Sequence, residues 1–408
     1  MVDYDPFADV MLDDPFPVYA RLRAESPVHY LERFDTWALS LFEDVWNAGE
    51  DPTTFMSPGP NLQTRGVEEA NLMVEEFDDQ IRAQDSVFVM NPPEHTAVRR
   101  KVARHFTPQG VRKLEPSLRA ITRDLLAKAL PQGRIDVIGD LAAQISVRAV
   151  CLLMGLPISD GDYLTGIVRR FFAREPGFDG MTPDALEASL ELRAYLVEAV
   201  QARRRRGTDI DDAMATHMAL GEPGEELTDE QVASHMTTLV VGGTETLPKV
   251  FAGGVLQLHR HPDQRAELAA SPDLIPKAFE EIARYEMPTN FLARTVARDV
   301  TLRGQKLREG QGVIFLYRSA NRDEREFDDP DRFDIHRGAS RILSFGHGTH
   351  VCLGQHVAKL EARVMYEELL ASVPDYEVVE SAVVPARSEF VAGYLKMPIA
   401  FEPRELRS

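Results

Sequence analysis

From Asn91 to about residue 287, apolar positions recur at helical spacing almost without interruption. Outside that block the rhythm changes. Residues 28–32 (VHYLE) and 36–41 (TWALSL) predict two short strands enclosed by helices. Residues 300–316 (VTLRGQKLREGQGVIFL) alternate like paired strands, and the last forty residues return to strand-like segments. The stretch 57–90 opens with Pro, Gly and Asn and stays acidic, so it reads as a long excursion, a kind that is often functional in compact domains. Thr228 and Gln231 form a capping box that opens a long apolar helix over about 228–260. Gly242 and Gly243 inside it each cost roughly 1 kcal/mol relative to alanine. Pro248 has no N–H to offer the Thr244 carbonyl, so the pattern predicts a broken helix there. No repeat or linker divides residues 1–408, which predicts a single domain, mainly α with small β sheets (α+β).

Composition narrows the function classes. With 65 acidic against 46 basic residues the net charge is −19, which argues against nucleic acid as the partner. The run Arg203–Arg206 ends a helical stretch, where cations complement the negative end of the helix dipole. No run of about 18 uncharged apolar residues suggests a membrane span, and the acidic start lacks a signal pattern. A cytoplasmic monomer is the expectation. Two cysteines make no disulfide scaffold; Cys151, in AVCLLMGLP, reads as a buried small hydrophobe.

Cys352 is different. It lies in FGHGTHVCLG, residues 345–354, where three glycines and two histidines surround one sulfur. A zinc clip would use His347, His350 and Cys352, yet closed zinc sites take four ligands, usually as two separated pairs. A nucleophilic thiol would want a histidine base held by a third group. An axial ligand to a flat cofactor explains more of the loop. Glycines let backbone N–H groups surround a thiolate. Val357, Leu360, Val364 and Leu369 then follow at helical spacing. The sulfur would thus sit at a helix N-terminus, where the dipole lowers a thiol pKa.

The pattern Phe345, Gly348, Cys352, Gly354 resembles the haem-ligand signature of the cytochrome P450 family, Phe-x-x-Gly-x-x-x-Cys-x-Gly. The resemblance implies that fold, haem b bound through Cys352, and Phe345 packed on the sulfur side of the haem. Glu281 and Arg284 are similar to the family's Glu-x-x-Arg, which forms a structural triad with a third arginine, here Arg337. By the same resemblance His95, Arg99, Arg294 and His350 bind the haem propionates. GGTET (242–246) resembles the oxygen-activating motif, giving Glu245 and Thr246 as the acid–alcohol pair that delivers protons to bound oxygen.

The activity implied by this resemblance is that of a monooxygenase, which inserts one atom of O2 into an organic substrate. An intact acid–alcohol pair implies electrons from NAD(P)H through separate ferredoxin and reductase partners, with Arg100, Lys101 and Arg104 as a docking face. The family's pocket walls correspond here to Phe88, Phe172, Leu239, Val240, Gly243, Phe291, Leu292 and Val391, with Asn290 as a polar anchor. That lining suits a medium-sized apolar molecule such as a terpenoid, steroid or aromatic. Two alternatives stay open: a non-catalytic haem protein that binds a ligand, and a same-fold enzyme that works without external electrons.

Overall fold

A 32-residue helix, Asp229–Arg260, is the axis on which most of the helices from Ala143 onward pack. The computed structural model of the protein describes residues 2–59, 62–70, 72, 86–175, 178–207, 210–221 and 226–405. Residues 60–61, 71 and 73–85 of the predicted 57–90 excursion lie outside the described residues. Among those described, the helices of nine residues or more are α1 (Phe16–Glu25), α2 (Phe42–Glu50), α3 (Glu94–Val102), α4 (Glu115–Ala129), α5 (Ala143–Met154) and α6 (Gly161–Phe171). They continue as α7 (Pro183–Arg206), α8 (Asp229–Arg260), α9 (Pro262–Ala270), α10 (Ile275–Tyr285) and α11 (Gln355–Ser372).

Local sequence explains the main helices. The capping box at the start of α8 is formed in both directions, Thr228 with the Gln231 backbone and Gln231 with the Thr228 backbone. On α10, Ile275, Ala278, Phe279 and Ile282 make one buried stripe. On α11 the four apolar residues picked out by spacing are all buried. The Pro248 expectation fails, because α8 runs unbroken from Asp229 to Arg260 with Pro248 inside it. One missing donor in so long a helix, packed by α5, α7 and α10, is outweighed by burial of its apolar faces.

The main sheet has five strands in the order β1 (Val28–Leu31), β2 (Thr36–Leu39), β8 (Gly312–Leu316), β5 (Phe291–Val296), β3 (Phe55–Met56). Only β2 and β8 run parallel. Pairing of Arg294 with Val313 fixes the register of β5. Because side chains alternate along a strand, Leu292 and Arg294 share one face while Phe291 and Ala293 turn to the other. Three smaller sheets complete the fold: β4 (Arg134–Asp136) with β12 (Pro398–Ala400) and β9 (Glu377–Val378), the hairpin β6 (Val300–Leu302) and β7 (Gln305–Leu307), and the pair β10 (Val384–Pro385) and β11 (Tyr394–Lys396). The fold is mainly helical with small sheets, in one domain, as the pattern predicts.

Two sequence features change meaning in three dimensions. Residues Val137–Met154 are long and apolar enough to cross a membrane, but 72% of that stretch is buried in the fold as core. In the arginine run, Arg203 bonds Asp212 and the Gly155 carbonyl, and Arg204 bonds Asp229 and the Leu227 carbonyl. These cations tie α7 to its neighbours as well as facing the helix dipole.

Where α11 meets α5, Ser146 Oγ donates to Glu361 Oε2 at 2.7 Å in a fully buried setting. Burial pushes the Glu361 carboxyl up to about 8, partly opposed by the Ser146 hydrogen bond. The unfolded chain releases this proton near pH 4.5 while the folded chain keeps it. The carboxyl therefore costs nothing below pH 4.5, and stability falls by about 1.4 kcal/mol per pH unit as pH rises through that window. Glu361→Gln keeps an acceptor for Ser146 without an ionisable group. Its melting temperature is expected to match wild type at pH 5 and exceed it increasingly towards pH 8, as calorimetry at the two pH values would register.

Candidate active site

The cysteine loop is shaped by a close approach. Gly348 has φ +71, and a Cβ there would come 2.0 Å from the Gly49 carbonyl oxygen at the end of α2. Only glycine accepts both conditions. His347 stacks on the Trp46 indole at 3.3 Å between centroids and bonds Glu50 at 2.7 Å. It is a strut between loop and helix, and no metal cluster of three or more His, Cys, Asp or Glu occurs among the described residues. The Cys352 backbone N–H donates to the Phe345 carbonyl at 2.7 Å, closing the loop. Phe345 itself packs against the main core.

The Cys352 surface is open although protein encloses the residue on every side, so the sulfur faces a space within the molecule. Burial pushes its thiol up, while the Gly354 and Gln355 backbone N–H groups and the Arg99 guanidinium pull it down. The net direction is upward, opposite to the expectation from the helix dipole alone, because desolvation is the largest cause.

Around this sulfur the predicted basic residues come together. Arg99 Nη2 donates to the Val351 carbonyl, next to the cysteine. The His95 and His350 rings lie 4.3 Å apart. Arg294, from β5, donates from Nη1 to the Ala293 carbonyl at 2.7 Å. Both ring nitrogens of His95 are buried without a hydrogen-bond partner. Burial, then Arg294, His95 and Arg99, drive the His350 imidazole down to about 3. Burial, followed by Arg99 and Arg294, also lowers His95. Among the described residues no carboxylate pairs with Arg99 or Arg294.

On α8 the two glycines have separate roles. A Cβ on Gly242 would meet nothing within 4 Å, whereas one on Gly243 would lie 2.6 Å from a Val150 methyl on α5. Gly243 therefore packs closely against α5 on one side, while part of its surface stays exposed. Gly243→Ala is expected to cost on the order of 1–3 kcal/mol, because Val150 has one favoured rotamer in a helix and cannot swing aside. Gly242→Ala should gain up to about 1 kcal/mol of helix propensity. Melting temperatures of the two variants would separate in opposite directions from wild type. Thr246, one turn beyond Gly242, donates from Oγ1 to its carbonyl at 3.2 Å. Glu245 is paired instead with Lys249, Nζ to Oε1 2.7 Å, a contact the sequence reasoning missed although Glu and Lys four apart signal it.

The remaining predicted wall residues are placed unevenly. Val240 is fully buried in the main core, whereas Leu239 and Val241 pack against that core but stay partly exposed; with Thr237, Thr238, Gly242, Gly243 and Thr246 they are the accessible positions of this part of α8. Phe291 belongs to a core cluster with Tyr19 and Leu22 on the far face of the sheet, and Leu292 is partly buried on the near face. The Asn290 amide is used up structurally: Nδ2 donates to the Ser388 and Glu389 carbonyls, and Oδ1 accepts from Arg318. That removes it as a free polar anchor and makes it the fastening of the C-terminal loop. Val391 is buried and bridges Thr289. Phe172 stacks on Phe390 of the same loop at 6.5 Å and 6°. Phe88 is 45% exposed, while its neighbour Ser86 bonds Thr238 of α8 at 3.2 Å.

The Glu281 triad is assembled as the family resemblance implied. Arg284 forks onto both Glu281 oxygens at 2.7 and 2.8 Å, and Arg337 Nε reaches Oε1 at 3.1 Å.

Comparison with known proteins gives a consistent answer. A family model described as Cytochrome P450 matches residues 273–373, which contain the triad and the cysteine loop. "Putative cytochrome P450 123" of Mycobacterium tuberculosis (strain ATCC 25618 / H37Rv) is 33% identical over 405 residues, 98% of this chain and 97% of its own length. "Vitamin D(3) 25-hydroxylase" of Pseudonocardia autotrophica is 33% identical over 408 residues, with 98% and 97% covered. The structure of CYP109E1 from Bacillus megaterium in complex with testosterone matches with a TM-score of 0.83 at 27% identity, covering 96% of this chain and 98% of that one. With such identity along nearly its whole length and a hydroxylase among its relatives, the chain belongs to the cytochrome P450 family of haem-dependent monooxygenases.

Proposed function

We propose that Cys352 would bind the iron of haem b through its thiolate, and that Arg99, Arg294, His95 and His350 would hold its propionates. Unmet charge is the observation that carries this reading. A buried guanidinium (Arg294), a half-buried one (Arg99) and an unpartnered imidazole (His95) stand together without a carboxylate, beside an open sulfur. A buried charge left unpaired is costly. Two propionates would answer the arginines, and a metal cation would take the place of the proton that burial otherwise keeps on the thiol. The donor set therefore fits haem.

When bound, haem supplies the iron at which dioxygen is activated. The chain's own residues do the rest. Thr246 Oγ1 holds a proton at an accessible position of α8, and Glu245 is the acid that resupplies it. Gly242 leaves the face beside that hydroxyl free of side chain. Phe172, Phe390 and Leu292 offer apolar surface to orient a substrate and exclude water.

The reaction is hydroxylation of a medium-sized, multi-ring apolar molecule of steroid type, a class supported by the relatives' names and by the apolar residues above. Electrons come from NAD(P)H through a separate ferredoxin and its reductase in the cytoplasm. Arg100 and Lys101 on α3 are exposed for docking, whereas Arg104 is already bound to Asp211 and Thr216.

The test is a spectral titration of the holoprotein with steroids, secosteroids and linear fatty acids, then turnover with NADH and a surrogate ferredoxin system. A water-bound to water-free haem shift with ring compounds, and hydroxylated product, supports the reading. A shift with fatty acids alone overturns the substrate class. Tight binding with no NADH consumed beyond background would favour a non-catalytic binding protein.

A further inference from the structure

Glu245 is held by Lys249, one turn further along α8, in a setting built from three parts of the chain. The ion pair is 2.7 Å long, and the side chains are only 11% and 5% exposed. Lys249 Nζ also donates to the Tyr394 carbonyl at 3.4 Å, on β11. Gly393 brings the same hairpin down onto the lysine stem: at φ +124, its Cβ position lies 2.8 Å from Lys249 Cβ. Only a glycine leaves room for that stem.

The two members of GGTET that carry protons are thus arranged differently. Thr246 is accessible and bonded to the Gly242 carbonyl. Its neighbour Glu245 is tied by Lys249 under the β10–β11 hairpin.

We propose that Lys249 is a positioning residue for proton delivery: its ammonium, clamped by the hairpin, fixes the rotamer of Glu245 and holds its carboxyl in place to exchange a proton with the Thr246 side. This rests on the reading of Glu245 and Thr246 as the proton-delivering pair. A proton arriving at a Glu245 oxygen neutralises the carboxylate and loosens the ion pair, freeing the acid to turn towards the Thr246 side. Passing the proton on restores the charge, and Lys249 recaptures it. One proton enters and one leaves, and no electrons move.

Burial raises the Glu245 carboxyl, and Lys249 is the largest opposing influence. The other cations facing it are Arg169 on α6 and Arg174 just after that helix, and both act in the same direction as Lys249. Tyr394 contributes its backbone carbonyl to Lys249. Burial is already the largest cause, so loss of the lysine raises the carboxyl further.

Lys249→Met keeps most of the stem and removes the charge, and Lys249→Arg restores the charge. The Glu245 titration can be read from infrared difference spectra of each against the matching Glu245→Gln variant, in holoprotein without turnover. The midpoint is expected to rise by about one pH unit or more in Lys249→Met, a tenfold fall in acid dissociation, and to return towards wild type in Lys249→Arg. Coupling of NADH to product should shift to higher pH by the same amount. If Lys249→Met does not fold, Lys249→Gln carries the comparison. An unchanged midpoint, with only a lower melting temperature, overturns the proposal and leaves Lys249 a packing residue. The monooxygenase reading fails separately, on the absence of product in wild type.

Discussion

Cys352→Ala protein, reduced under carbon monoxide, is expected to show none of the red-shifted thiolate band of its family, while Cys151→Ala protein keeps it in full. The two sulfurs differ in everything but chemistry. Cys151 is fully buried on α5, and burial pushes its thiol up to about 11, so it is a neutral packing group. Its loss removes one small buried atom group and should cost about 1 kcal/mol of stability. Cys352 opens onto the space bordered by Arg99 and His350, and its loop is held by backbone bonds that an alanine keeps. The Cys352→Ala apoprotein should therefore fold with a melting temperature near wild type. Absorption spectroscopy and calorimetry on the same two preparations check both halves, and a thiolate band surviving in Cys352→Ala would sink the ligand assignment.

Arg284→Ala is expected to yield little folded protein at 37 °C. Arg284 and Glu281 are essentially inaccessible, and the arginine fills five roles at once. Its Nε and Nη2 meet the two Glu281 oxygens, while Nη1 donates to the Asn321 and Pro330 carbonyls at 2.8 and 2.9 Å; its guanidinium also lies 5.1 Å from the Phe327 ring. Glu281 Oε1 further accepts from the Asp334 backbone and from Arg337, so the triad ties α10 to the segment leading into the cysteine loop. Breaking a buried pair strands its partner's charge and costs roughly 3–5 kcal/mol. Against a typical total of about 5–15 kcal/mol that is a large share. Arg284→Lys should fail nearly as badly, because a point charge cannot fork onto a carboxylate and two carbonyls. Arg337→Lys should be milder, since Arg337 is more exposed and its other bonds are to carbonyls near the surface. Urea midpoints for the three variants give the order; equal midpoints for Arg284→Ala and wild type would refute the triad's structural role.

Much of this was legible along the chain because it depends on neighbours in sequence. A capping box needs only Thr228 and Gln231; the stripe of α10 needs only apolar residues three and four apart. The glycines around Cys352 announce a loop with unusual backbone, and positive φ at Gly346 and Gly348 is what such residues permit. The basic residues near the site could be picked out by their resemblance to a known pattern, though not by charge alone, since most of the chain's 46 cations serve elsewhere.

Other properties depended on what approaches from a distance. Gly242 and Gly243 are identical in sequence terms, and only Val150 on another helix makes the second a packing residue and leaves the first open. Val240 and Val241 differ in the same way, one fully buried in the core and the other partly exposed, because a helix presents successive residues about 100° apart and tertiary packing chooses the face. The pattern predicts a break of α8 at Pro248, yet the helix continues through it, packed by its neighbours. Asn290 became a fastener because residues 388–389 fold back onto it, and Lys249 became Glu245's partner beneath a hairpin from the far end of the chain. Spacing along one element determined which elements form and which residue types carry the chemistry. Contacts between elements far apart in sequence determined which face is open and which charge is paired, because burial and desolvation are properties of the whole packed molecule.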